Sequence, residues 1–485
     1  SLGRLAVVVH ASLPADEQLF LWTPEQGFGF YEIGDVVRSE MDAMAVSFDP
    51  ETLSVRTFEI TDFITNPKKR IFRLELDSGR SVHVTADHNL FTLDDHGEVS
   101  RVRTEDAEDE LVMVPGTLPR PRGQEDTVDL VPLLDGTGED VVVYAADGLG
   151  AVDWEDTHAT TRKHYQSNGA APLHRVSTGV VPADADIGFK QSNFRLPKSL
   201  PVSPELGWVL GFYIAEGYAR GKQLVFTNND ELLDRVAAYF DRFDTQLSRQ
   251  TSDSGASQLT VCSALWSVVF RSLAGAGSEK NVPERVWNWD QAVLEALYDG
   301  LLEGDGHRRD GRDTLNTNNE RLADRAQYLG ARLGYRTSAY SRDRFSDGGV
   351  ERTEWSIDFY ESAHKRGAYV PTPSALLRTY RDRAGLTMAE AAGEMGFSSK
   401  SSISNVENEE YGSVKRETLR RFRDCYREYG VSTDRLDAIL SGSIQFDRVE
   451  SVVDTGRVET TYDLEVRPGG RPIENFLAGF GGIFL

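Results

Sequence analysis

Only two cysteines occur in 485 residues, Cys262 and Cys425, so neither a disulfide framework nor a cysteine-rich metal site can organise this chain. Long apolar runs are missing as well. The stretch 5–9 is strand-length, well short of the roughly 18 apolar residues that a membrane helix needs, and no signal-peptide pattern is visible. The expectation is therefore a cytoplasmic, monomeric protein with no membrane role. Lysine is scarce: 10 Lys stand beside 43 Arg, and together these 53 cations face 77 acids for a net charge of −24. Binding to nucleic acid through overall positive charge is excluded, so any grip on phosphates must be local. Acid-rich, lysine-poor surfaces suit molar salt, where charge repulsion is screened within a few ångströms, and a halophilic source is expected. Hydrophobic residues make up 39% of the chain, enough for the two to four cores its length implies.

Strand and turn signals fill residues 17–115. Segments 55–60, 71–76 and Ser81–Thr85 are rich in branched and aromatic side chains, and Asp77-Ser78-Gly79 between the last two predicts a hairpin. Residues 115–200, rich in Gly, Pro, Asp and Thr, read as linker and irregular chain. A mixed α/β pattern follows over 204–345, a helical one over 374–430, and strands return over 444–485. Basic excess is local. Segment 161–200 holds six Lys or Arg against two acids and 307–352 holds ten against seven, either phosphate-facing surfaces or ordinary fluctuation.

The middle of the chain repeats itself. Leu210-Gly-Phe-Tyr-Ile-Ala-Glu-Gly217 is echoed by Asp299-Gly-Leu-Leu-Glu-Gly-Asp-Gly306. Thr227-Asn-Asn-Asp230 is echoed by Thr317-Asn-Asn-Glu320, each opening a predicted helix, 232–243 and 322–334. Gly211 and Ala215 are four apart, as are Gly300 and Gly304, so each pair shares one helix face where small residues let two backbones approach. Glu216 and Asp305 follow at the helix ends. Packing the helices together brings the two carboxylates to one end of the interface, a pair suited to hard divalent cations and to metal-assisted phosphodiester hydrolysis.

These motifs resemble the LAGLIDADG homing endonucleases in their two-motif, single-chain form, with 209–217 and 298–306 as the nine motif positions. The resemblance implies two αββαββα halves whose saddle-shaped sheets sit on double-stranded DNA. It also implies Mg²⁺ held by Glu216 and Asp305, and Lys280 of Lys280-Asn-Val-Pro-Glu284 as the active-site lysine. Within 307–352, Arg308 and Arg309 are the candidate DNA contacts. Residues 376–408 resemble the helix-turn-helix of phage-repressor-type domains. Thr387 can cap a short helix, Ala391 is small where two helices cross, and Gly396 suits the turn. Segment 399–407 would be the recognition helix, presenting Ser399, Lys400, Ser401, Ser402 and Asn405 to bases or phosphates. A plain helical bundle is the alternative.

The two ends carry a further set. Ser12-Leu-Pro-Ala-Asp-Glu17 resembles the start of an intein, and Val84-Thr-Ala-Asp-His88 the Thr-x-x-His block shared by inteins and hedgehog-type domains. Thr461-Tyr-Asp-Leu-Glu-Val466 and the segment 474–485 are similar to the last blocks of archaeal inteins, such as those of family-B DNA polymerases. The resemblance implies an all-β Hint horseshoe in which Ser12 is the nucleophile, Thr85 and His88 bond the scissile amide, and Asp463 couples the splicing steps. No cofactor is implied for splicing. An intein starting at Ala11 is the other register. Glu474 stands where many inteins have His. The family ends in His-Asn, and the chain stops at Leu485, so as written it is expected to be unable to complete splicing.

The expected organisation is multidomain: 1–11 flanking or leader, 12–135 and 441–485 the two parts of the splicing domain, and 136–199 a linker, with a DNA-contacting role open. Segment 200–365 would be the α+β endonuclease and 372–440 the α-helical module. The expected partners are homing-site DNA and the flanking segments of a host protein concerned with DNA replication. The competing readings are a freestanding DNA endonuclease and a helix-turn-helix regulator without chemistry.

Overall fold

The computed structural model describes residues 12–485 apart from 122, 139, 147, 151, 252–256, 346–350, 362–368, 409–411 and 468–473. Positions 1–11, and with them the Ala11 register, lie outside the described residues.

Two long strands form the spine of the β domain. Val55–Leu76 unites both predicted strands 55–60 and 71–76, and it pairs antiparallel with Ile444–Val466 from the far end of the chain. Irregular register between Asp454 and Val458 and beside Thr461 lets this ribbon bend. Around it runs a ten-stranded sheet in the order Leu13–Pro14, Ile444–Val466, Val55–Leu76, Met44–Phe48, Gln18–Thr23, Leu477–Ala478 and Ile483–Phe484. Gly27–Glu32, Ser81–Thr85 and Leu111–Pro115 pair off this path. The two terminal segments therefore build one domain, with a core that mixes their side chains: Leu13, Leu74 and Val84 lie with Leu464, Phe476 and Leu485. The hairpin at 77–79 forms as expected, Gly79 taking φ +75°. Glycine is needed there for space too, since a Cβ would sit 1.8 Å from the Ala339 carbonyl oxygen.

Segment 136–199 is not the irregular linker expected of it. Val141–Tyr144 is the centre of a four-stranded sheet, in the order Ala170–Pro172, Val141–Tyr144, Asp186–Phe189, Arg195–Pro197, with the helix Ala159–Ser167 inserted. Strands of three or four residues between turns leave too short a period to read from sequence. The β domain also ends earlier than 135. Its last strand in this part is Leu111–Pro115, and Thr127–Asp129 pairs instead with Ser199–Pro201.

The repeat folds as two similar halves. Each begins with a motif helix, Pro204–Glu216 or Gln291–Asp305, capped by Ser203 or Asp290. Each continues into an antiparallel sheet of the same order: strands 218–220, 223–228, 257–261, 247–251 in one, and 306–309, 312–317, 351–360, 336–345 in the other. The helices Asp230–Asp241 and Glu320–Leu333 start at Asn229 and Asn319, whose side chains accept from the backbone N–H of Leu232 and Leu322. Only the first half completes αββαββα, with Ala264–Ala274; among the described residues the second has no third helix, because the chain runs on into the helical module.

That module contains Ser374–Arg383, Met388–Glu394, Ser401–Glu407, Arg416–Glu428 and Asp434–Leu440. Thr387 and Glu390 form a reciprocal capping box, Gly396 turns at φ +71°, and Ala391 is buried. The expected recognition helix is shorter than 399–407, beginning at Ser401. Its end is tied down by Glu407, fully buried, whose carboxylate takes two bonds from Arg381 at 2.8 and 3.0 Å. Among the described residues no helix is long and apolar enough to cross a membrane.

Candidate functional site

At the edge of the β domain, Ser12 is wholly buried and held by its backbone. Its N–H donates to Thr85 Oγ1 at 3.1 Å, and its carbonyl accepts from the Thr85 N–H at 3.0 Å. The Thr85 carbonyl in turn accepts from the His88 N–H at 3.1 Å, closing the tight turn that carries both residues. His88 Nδ1 accepts from the Asn89 N–H at 2.9 Å, which assigns the proton of the neutral ring to Nε2. Nε2 is buried and has no partner among the described residues. Burial pushes the imidazole down to about 4, so the ring is neutral at ordinary pH. Leu13 pairs with Tyr462, so Ser12 and Asp463 are the next residues along the two chains. Burial, with Glu474 nearby, pushes the Asp463 carboxyl up to about 8. Ser12, Thr85, His88 and Asp463 are thus brought to one site.

Sequence reasoning missed Asn66. It is buried, and its Nδ2 donates to Ser12 Oγ at 2.8 Å, orienting the hydroxyl. Asn66-Pro67 interrupts a β pattern inside a strand, and that was the available signal. Lys69 and Asp87, paired at 2.9 Å, flank the same turn.

The second constellation lies between the motif helices. A Cβ on Gly211 would lie 2.1 Å from the Leu297 carbonyl oxygen, and one on Gly300 would lie 2.1 Å from that of Trp208. Positions 211 and 300 are 89 apart, and so are 208 and 297, so the two contacts are one contact related by a quasi-two-fold axis. Gly304 and Ala215, also 89 apart, touch each other on that axis, and a Cβ on Gly304 would lie 3.2 Å from Glu216 Cγ. Glu216 and Asp305 therefore end the two helices together. Burial raises both carboxyls, and for Glu216 the Asp305 charge raises it further. Lys280 sits between these acids and the end of the first helix, its Nζ donating to the carbonyls of Tyr213, Ala215 and Gly217 at 3.1, 3.2 and 2.9 Å. Burial lowers it to about 8 against the pull of both acids. Lys280 and Asp305 line a cleft of about 1020 Å³ with Asn316, Asn319 and Arg352, and Arg73 of the β domain reaches the same cleft.

The candidate DNA contacts are dispersed. Arg308 is ion-paired with Asp299 of its own motif helix, so a phosphate would have to displace that carboxylate, whereas Arg309 is exposed. Lys400 and Ser401 are exposed at the start of their helix, and Ser402 and Asn405 are half-buried.

The intein splicing domain family matches residues 25–484. The chain belongs to that family. A DNA polymerase of Thermococcus kodakarensis is similar at 22% identity over 585 aligned positions, which takes in 99% of this intein and 32% of the polymerase. The intein spans a third or less of the length of the curated relatives it matches. Among solved structures, an intein from a hyperthermophile covers 22% of this chain and 72% of its own at 18% identity and a TM-score of 0.20. A mesophilic variant of the homing endonuclease I-DmoI covers 33% of this chain and 85% of its own at 16% identity and a TM-score of 0.26.

Proposed function

We propose that this intein splices through Ser12, Thr85, His88 and Asp463, and that its inserted halves cut double-stranded DNA through Glu216 and Asp305. For splicing, the two reciprocal bonds between Ser12 and Thr85, one of them to the threonine hydroxyl, carry the reading. The Ser12 N–H is the amide of the upstream junction, and Thr85 Oγ1 fixes its orientation. Ser12 Oγ adds to the carbonyl carbon of the preceding residue, the C–N bond breaks, and an ester forms while the nitrogen gains a proton. Neutral His88 offers its Nε2–H to that amide as a hydrogen bond and keeps the proton, and the proton shed by Ser12 Oγ ends on the freed nitrogen. Asp463, whose carboxyl burial pushes up to about 8, would lend and recover a proton beside the same junction. In the precursor with its natural flanks, hydroxylamine should release the upstream segment by cleaving the ester. Ser12→Ala should abolish that release, and unchanged release would reject the assignment.

For DNA cleavage, the quasi-two-fold helix pair carries the reading, because it brings two carboxylates together, Asp305 exposed on the wall of an open cleft and Glu216 half-buried. Two like charges whose ionisation burial opposes fit a hard divalent cation such as Mg²⁺, with water and phosphate oxygens completing the shell. When bound, the cation supplies activation of water and charge neutralisation at the phosphate. Glu216 and Asp305 orient it, and Lys280 places a positive charge beside the reacting phosphate. The helical module 372–440 reads as a helix-turn-helix that adds affinity through Lys400, Ser401, Ser402 and Asn405. The module around Ala159–Ser167 supports further phosphate contact, because Arg162 and Lys163 are exposed and their segment is the most basic of an acidic chain. Homing-site DNA in a replication gene is the proposed substrate. A plasmid bearing the uninterrupted host gene should be linearised with Mg²⁺, in low or high salt, by wild type and not by Glu216→Gln. If both are inert throughout, the nuclease reading is lost.

A further inference from the structure

The last strands of the splicing domain form a hairpin whose two ends have different neighbours. Leu477 pairs with Phe484 and Ala478 with Ile483, and the open end is closed by reciprocal bonds between Phe476 and Leu485 at 2.9 Å each. The Phe476 ring lies 6.4 Å from the His88 ring, so the open end borders the splicing centre. The turn at 479–482 points the other way, into the second nuclease half. There the Gly481 N–H donates to Asp324 Oδ1 at 2.7 Å, and the Gly479 carbonyl accepts from the Tyr328 hydroxyl at 2.9 Å. Phe480 packs on Trp355, ring centroids 5.1 Å apart. Gly481 has no room for a side chain, since a Cβ would meet Gln327 Nε2 at 2.6 Å.

We propose that Asp324 and Tyr328, on the helix Glu320–Leu333 of the nuclease, are positioning residues for protein splicing: they hold the hairpin turn and so set where its open end meets His88. Both are buried, and neither touches the carboxylate pair of the cleft, so DNA cleavage gives them no task. A residue exposed to solvent would make these bonds weakly. Buried ones exclude water from the turn and leave its backbone no alternative partner. Arg80 of the splicing domain completes the clamp, donating to the Gly481 carbonyl at 3.1 Å while also bonding Thr337 of the nuclease at 2.9 and 3.1 Å. The splicing domain holds the near side of the turn, through reciprocal bonds between Ser81 and Phe480 and one from the Gly479 N–H to Gln18, and the nuclease groups with Arg80 hold its tip. A rigid two-stranded hairpin carries a shift at its turn to its other end.

The inference rests on Ser12 and His88 as the splicing centre, and two readouts keep the two apart. In the precursor with its natural flanks, hydroxylamine release reports the upstream acyl shift, and spliced product reports the completed reaction. Tyr328→Phe removes one hydroxyl and keeps the ring, so it should fold. It should lower spliced product about three- to tenfold while changing upstream release less than about twofold. Asp324→Ala should show the same selective loss, about tenfold or more, and Asp324→Asn, whose amide oxygen still accepts from Gly481, should recover part of it. Hydrogen exchange of the 477–484 amides in the unspliced chain should quicken in Tyr328→Phe, whether or not the precursor reacts. Equal loss of both chemical readouts, unchanged splicing, or an Asp324→Asn no better than Asp324→Ala would overturn the proposal. So would unchanged exchange at the turn. A wild-type precursor that gives no release with hydroxylamine, yet shows quickened exchange in the variant, would reject the splicing centre and keep the clamp.

Discussion

Replacing Gly300 by alanine should pry the motif helices apart. The added Cβ would lie 2.1 Å from the Trp208 carbonyl oxygen and 2.8 Å from the Phe212 nitrogen, both backbone atoms that no rotamer change can move. Ordinary contact needs about 3.5 Å, so the helices must separate by more than about 1 Å. Overpacking of this kind costs about 1–3 kcal/mol. Against it stands the better helix propensity of alanine, worth about 1 kcal/mol. The difference is a net loss of about 0–2 kcal/mol, toward the upper end because both clashing atoms are backbone. Gly393→Ala is the matched control, since it lies in the helix Met388–Glu394 and its Cβ would meet nothing within 4 Å. That variant should gain up to about 1 kcal/mol. Urea midpoints of the three proteins measure this, and plasmid cleavage gives the second readout. Shifting Glu216 relative to Asp305 by about 1 Å should slow cleavage on the order of a hundredfold. If Gly300→Ala unfolds at the same or a higher urea concentration than wild type, as its control should, the backbone-to-backbone packing is refuted.

Three further outcomes follow from the splicing site and the helical module. His88 is depressed to about 4, so the unfolded state binds its proton first and stability falls as pH drops from about 6.5 toward 4. The wild type should lose on the order of 2 kcal/mol between pH 7 and 5 relative to His88→Gln, read from denaturation midpoints, and parallel curves would contradict a buried neutral ring. Thr85→Ala strips the Ser12 N–H of its acceptor and should slow hydroxylamine release about ten- to a hundredfold, while wild-type release would show that the bond is idle. Deleting 374–440 and bridging the gap with a short flexible linker should leave the urea transition of the nuclease halves in place while weakening homing-site binding. Equal affinity by gel shift would make the module structural.

The parts that were legible in the sequence are those whose physics is local. Small residues four apart followed by an acid predict a close helix pair at one copy, and the second copy 89 residues later supplies its partner. Thr85 and His88 stand within one turn, so their spacing survives in the chain. The unreadable parts depend on distance in sequence. Asn66 meets Ser12 only because the bent ribbon folds back on Leu13, and Asp324 meets Gly481 across 157 residues. Arg80 looks like any surface arginine until the fold buries it, near Asp447 at 3.7 Å. The module around Val141–Tyr144 was hidden by brevity, its strands too short to show alternation. That the second half has no third helix among the described residues was hidden by the resemblance itself, which expected two complete copies.

The joint between the splicing domain and the inserted halves decides how far the two can be treated as separable. Phe20 of the first β hairpin lies 5.7 Å from the Trp287 ring and 5.5 Å from that of Tyr328, both from the inserted halves, and all three are almost completely buried. Phe30 meets Tyr328 at 4.7 Å, with the Arg325 guanidinium 3.3 Å over its face. Each such ring buries about 150–250 Å², worth about 4–6 kcal/mol at most if exposed again. Asn288 adds a two-way bond to the same hairpin, accepting from the Phe28 N–H at 2.8 Å and donating to the Gln26 carbonyl at 2.9 Å. Against a net stability of about 5–15 kcal/mol for an ordinary domain, losing these contacts would leave little margin. Glu125 extends the joint along the connecting chain, accepting from Trp289 at 3.0 Å and pairing with Arg285. A surface of that kind belongs to a core cut in two, not to a tethered insert, and the buried charges in it sharpen the point. On separation Arg336 would lose Asp447, and Arg80, which keeps Asp447 and Gly481 within its own domain, would lose both bonds to Thr337. The same clamp that joins the domains is the one that holds the splicing hairpin, so stability and splicing geometry depend on one set of bonds.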